Sequence, residues 1–81
     1  MVAEVSKINV LVEKCCTCWN GNMKEALKKR MAAIADAESD ADSYQAYTEA
    51  LGAIRFMEDA FFLDASQADK LADLCADLHY C

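Results

Sequence analysis

Proline is missing from all 81 residues, and glycine occurs only at positions 21 and 52. A chain without the residue that breaks helices, and rich in Ala, Leu, Glu and Lys, is driven towards helix almost throughout. Fifteen residues are alanine, so a hydrophobic content of 56% overstates the bulk available for a core. That content still excludes a disordered tail. The length fits one small helical domain spanning 1–81.

The apolar spacing divides the chain into four helices, at about 2–19, 22–37, 43–62 and 65–80. Val5, Ile8, Val12, Cys15 and Trp19 share one face of the first, although Ile8–Val12 also reads as a short strand. Trp19-Asn20-Gly21-Asn22 is the clearest punctuation. Gly21 is expected to take the left-handed conformation there, and Asn22 to cap the next helix with Glu25 completing a capping box. The second helix presents Met23, Leu27, Met31 and Ile34. The acidic stretch Asp36–Ser43 then offers Ser39 with Asp42, or Asp42 with Gln45, as a new cap. Tyr44, Tyr47, Leu51, Ile54, Phe61 and Phe62 define the expected inner side of the third helix. Asp64 or Ser66 caps the fourth, which buries Ala68, Leu71, Cys75 and Leu78. Short connections between four helices predict an all-α fold, a small antiparallel bundle completed within the chain or by dimerisation.

Five cysteines, at 15, 16, 18, 75 and 81, are an odd number for a disulfide framework. Glu4 and Lys7 stand where a signal peptide needs its apolar centre, which predicts a cytoplasmic protein with reduced, mostly buried thiols. Cys15 and Cys75 are expected to react slowly and Cys81 at once. Cys15 and Cys18 form a CxxC, and with Cys75 and His79 they match a tetrahedral zinc set in number and type. In an up-and-down bundle, however, the two pairs fall about 20 Å apart, whereas zinc holds its ligands at about 2.0–2.3 Å. No metal and no cofactor are therefore expected. A redox role for the CxxC is disfavoured because it closes a helix, where the dipole raises a thiol pKa. His79 is the only histidine, and no glycine-rich phosphate loop, GxSxG or HExxH is present. The chain is expected to be a non-enzyme.

Charge carries more information. Eight Lys+Arg against fourteen Asp+Glu give a net charge of −6, which argues against direct nucleic-acid binding. Residues 1–35 hold six of the cations and three of the acids; residues 36–81 hold two cations and eleven acids. The basic cluster Lys24–Arg30 is expected to pair with acids of a neighbouring helix or a second subunit. Nine residues, Cys15–Met23, form the longest uncharged run, too short to span a bilayer.

Two features of the surface point to a partner. Asp69, Asp73 and Asp77 recur at i, i+4, i+8, a repulsive stripe that does nothing for the helix itself, with Tyr80 close to the same side. Phe56 falls on the polar side of the third helix, one turn after Gly52, while Glu58 falls in the apolar stripe and needs pairing with Arg55 or a basic residue of the second helix, or a place at a subunit boundary. Asp69, Asp73, Asp77, Tyr80 and Phe56 are the expected partner-binding residues, and the excess apolar surface around Phe56, Phe61 and Phe62 predicts a homodimer. Small acidic helical proteins without cofactors are common among phage-encoded inhibitors of host machinery, anti-CRISPR proteins included. The likeness is one of size and composition. It implies a non-enzymatic interaction domain, encoded by a phage or mobile element, that blocks a host protein with a basic surface, with nucleic-acid mimicry as one route. The alternative is a zinc- or thiol-dependent helical module built on Cys15, Cys18, Cys75 and His79.

Overall fold

The structure, a computed structural model, describes residues 2–80, with side chains from Val5 onward. Four helices follow in order: α1, Val2–Cys15; α2, Gly21–Asp36; α3, Asp40–Asp59; and α4, Ala65–Tyr80. They form a small all-α antiparallel bundle in which each helix packs on its chain neighbour and α1 closes against α4. Among the described residues the backbone of α2 also comes close to that of α4 across the bundle, whereas the backbones of α1 and α3 stay further apart. Ala50 and Ala68, both fully buried, suit such close packing. Ile8, Val12, Met31, Ile34, Ile54 and Leu71 fill the centre, each worth roughly 1.5–3 kcal/mol of transfer free energy.

Side-chain caps explain where the helices begin. Asn20 Oδ1 accepts from the Met23 amide at 2.9 Å, so the cap lies two residues before the expected Asn22, and Gly21 opens the helix without a positive φ. Ser39 accepts from the Asp42 amide at 3.2 Å, as one of the two spacings predicted. Asp64 and Gln67 form a reciprocal box: the Gln67 amide donates to Asp64 Oδ1 at 2.7 Å and the Asp64 amide to Gln67 Oε1 at 3.1 Å.

The first helix stops at Cys15, four residues before the expected end. Beyond it the Trp19 amide donates to the Cys16 carbonyl at 3.1 Å, a turn that brings both Cys16 and Trp19 into the core. The indole Nε1 then donates to the Phe62 carbonyl at 3.2 Å, joining the α1–α2 turn to the α3–α4 turn. Burying an indole with its N–H satisfied outweighs one more helical turn.

The third helix ends at Asp59, three residues early. Phe62 N–H bonds the Met57 carbonyl and Phe61 N–H the Glu58 carbonyl, the paired closure of a Schellman motif. Phe61 takes the left-handed position with φ 66°, where glycine is usual, and stands 95% exposed. Of the expected inner face of α3, Ile54 is buried, Leu51 is half-buried and Tyr47 packs half-buried against the core, whereas Tyr44, Phe61 and Phe62 are exposed. Ser43 and Ala50, not expected there, complete the inward side. Val5, placed on the inner face of α1, is also exposed. No described helix is long and apolar enough to cross a membrane.

Candidate functional site

Phe56 keeps its expected place on the outside of α3, 60% exposed. Beside it the seam between α2 and α3 opens into a groove of about 230 Å³, walled by Trp19, Met23, Leu27, Ala53, Phe56 and Met57, with Ala26 and Arg30 completing it. The walls are almost wholly apolar. Glu49 and Asp59, at i−7 and i+3 from Phe56 on α3, are exposed and carry no ion pair among the described residues. Gly52, one turn before Phe56, has open space where a Cβ would stand.

The acidic stripe of α4 divides in two. Asp69 binds Arg55 Nη1 at 3.2 Å, and the same guanidinium nitrogen holds Glu58 at 2.8 Å. Glu58 is thus partnered by Arg55, as its position required. Asp73 and Asp77 are exposed and have no ion pair among the described residues. Tyr80 is 74% exposed at the end of the same helix.

Two members of the basic cluster, Lys24 and Lys28, are bound within the bundle. Lys24 Nζ and Lys28 Nζ each lie 2.9 Å from an oxygen of Glu13 on α1, and Lys28 also reaches Glu25 at 3.4 Å. Hydrogen bonds from Lys24 and then Lys28 hold the Glu13 carboxyl down at about 2, against an ordinary value of 4.5.

The four residues of the zinc alternative do not come together. Cys15 and Cys75 are buried, Cys18 is exposed beside the Phe62 carbonyl, and His79 bonds Ser43 at the opposite end of the bundle. Among the described residues no cluster of three or more His, Cys, Asp or Glu is arranged to hold a metal. Burial pushes the thiols of Cys16 and Cys75 up to about 12 and raises that of Cys15. These groups stay protonated at neutral pH and are poor nucleophiles. Cys81 lies outside the described residues.

One constellation was not foreseen. At the end formed by the start of α3 and the end of α4, His79 is surrounded by three tyrosines. Tyr47 stacks on it, with ring centroids 5.4 Å apart at 9°. Tyr80 meets it edge-on at 4.5 Å, and Tyr44 lies tilted at 5.8 Å. The signal was available, since consecutive antiparallel helices bring Tyr44 and Tyr47 beside His79 and Tyr80. Tyr47 does pack against the core as expected, while Tyr44, expected beside it, stands exposed at the mouth of this cluster. The chain matches no family model, curated protein or solved structure.

Proposed function

We propose that this chain is a non-enzymatic protein-interaction domain of the cytoplasm that acts by occupying a surface of another protein. The observation that carries the reading is the apolar groove between α2 and α3, with Phe56 protruding at its side and the exposed acids Glu49 and Asp59 along the same helix. The occupant is a partner with a basic surface bearing one bulky apolar side chain. The apolar group fills the groove, and its basic surroundings face Glu49, Asp59 and the free acids of α4, Asp73 and Asp77. Asp69 is held by Arg55, and Tyr80 stands at the end of the bundle away from Trp19, so neither forms part of this surface. Blocking a host protein, as a phage or mobile-element inhibitor does, is the form of action that suits so small a domain, and the excess of acids would let it compete with nucleic acid for a basic channel.

The test compares the wild type, Phe56→Ala and the double variant Asp73→Lys/Asp77→Lys as baits in host lysate, each checked for fold by circular dichroism. A specific partner retained by the wild type and lost from Phe56→Ala supports the reading. Equal retention by all three folded baits moves the interface elsewhere. Light scattering that returns the mass of two chains, reverting to one in Phe56→Ala, assigns the groove to a second copy.

A further inference from the structure

At the end of the bundle remote from the Trp19–Phe62 contact, Tyr44, His79 and Tyr80 line one open hollow of about 600 Å³ with Asp40 and Ala41. Its back wall is fixed. The Ser43 hydroxyl donates to the Ile34 carbonyl at 3.2 Å and lies 2.8 Å from His79 Nδ1. Tyr47 stacked behind the imidazole prevents the ring from swinging away. Tyr44 and Tyr80 flank this wall and remain 54% and 74% exposed.

The chemistry of the lining is selective. Aromatic faces attract a cation through their quadrupole, and Asp40, which has no ion pair among the described residues, adds a carboxylate. No lysine or arginine lines the hollow. A quaternary ammonium would satisfy the rings but has no N–H for Asp40. A guanidinium satisfies both: its plane stacks on tyrosine while its N–H fork reaches a carboxylate.

We propose that the Asp40–Tyr44–His79–Tyr80 hollow binds the guanidinium group of an arginine side chain presented by a partner protein. Only the source of the arginine rests on the interaction reading above. The guanidinium site lies apart from the groove and is tested without the partner.

The probe is an arginine capped at both ends, titrated into the full chain and followed by the ring resonances of the single histidine and the three tyrosines. Saturable shifts of Tyr44, His79 and Tyr80 are expected, with none from capped citrulline, the neutral isostere. Asp40→Asn, Tyr44→Ala and Tyr80→Ala should each weaken binding about two- to fivefold, and Phe56→Ala should leave it unchanged. Equal shifts from arginine and citrulline overturn the proposal, as does tetramethylammonium binding as tightly as capped arginine. Free arginine differs from the capped form in its charged α-ammonium and α-carboxylate. Binding of free arginine clearly tighter than the capped form overturns the partner source and assigns the site to a soluble guanidine.

Discussion

The Ser43 hydroxyl and the imidazole of His79, 2.8 Å apart, tie the first turn of α3 to the last turn of α4. Ser43→Ala leaves Nδ1 of His79 and the Ile34 carbonyl each short of a partner. The expected loss of stability is about 1–2 kcal/mol by urea denaturation, reduced a few tenths by the better helix propensity of alanine. An unchanged midpoint would mean that water replaces the hydroxyl.

Phe61 is held at φ 66° with almost its whole side chain in solvent. A non-glycine residue in that conformation costs roughly 1–2 kcal/mol, and no burial offsets it. Phe61→Gly should therefore raise stability by up to about 1 kcal/mol once the freer unfolded chain is counted. A lower melting temperature would show that the ring makes contacts of its own.

Gly52 lies inside α3 with room for a side chain. Gly52→Ala is expected to stabilise by about 0.5–1 kcal/mol. Gly52→Arg should fold equally well yet obstruct a partner that docks beside Phe56, measured as a loss of capture in the lysate experiment.

Thiol labelling of the native chain separates the cysteines by burial. Cys18 should react first among the described cysteines, while Cys15, Cys16 and Cys75 should wait for unfolding, since burial both hides them and keeps their thiols protonated. Rapid native labelling of Cys75, read by peptide mass, would contradict its position in the core.

The Glu13 carboxyl titrates at about 2 when folded, below its ordinary 4.5. A depressed carboxyl stabilises the fold above its unfolded value and loses that contribution as pH falls through the folded one. The stability gap between wild type and Glu13→Gln should thus be full above about pH 4.5 and close towards pH 2. The effect is small, because Glu13 is half exposed and screened. A gap independent of pH would mean that the ion pair with Lys24 and Lys28 does not form in solution.

The helices were legible because the absence of proline and the 3–4 spacing of Ile8, Val12, Leu27, Met31, Ile34, Leu71 and Cys75 leave little alternative. What failed was the weighing of small residues against large. The inward face of α3 is written in Ser43, Ala46 and Ala50 as well as Tyr47 and Ile54, and the small residues were passed over while Tyr44 was overcounted. Helix ends failed for a tertiary reason, since Trp19 leaves α1 to reach the Phe62 carbonyl. Of the expected site, Phe56, Asp73 and Asp77 are exposed as anticipated, whereas Asp69 is engaged by Arg55, a pairing across helices that spacing along one helix cannot reveal.

The hydrogen bond from Trp19 to Phe62 sits at only one end of the bundle. It clasps the α1–α2 turn to the α3–α4 turn, while at the opposite end residues 37–39 and the Ser43 hydroxyl on the Ile34 carbonyl join the same two hairpins. With both ends held, amide exchange should be slowest at the buried helix centres around Met31, Ile54 and Leu71 and faster at the helix ends. Because Trp19 is the only tryptophan, its fluorescence reports the clasp at that one end and separates its release from events at the Ser43 end.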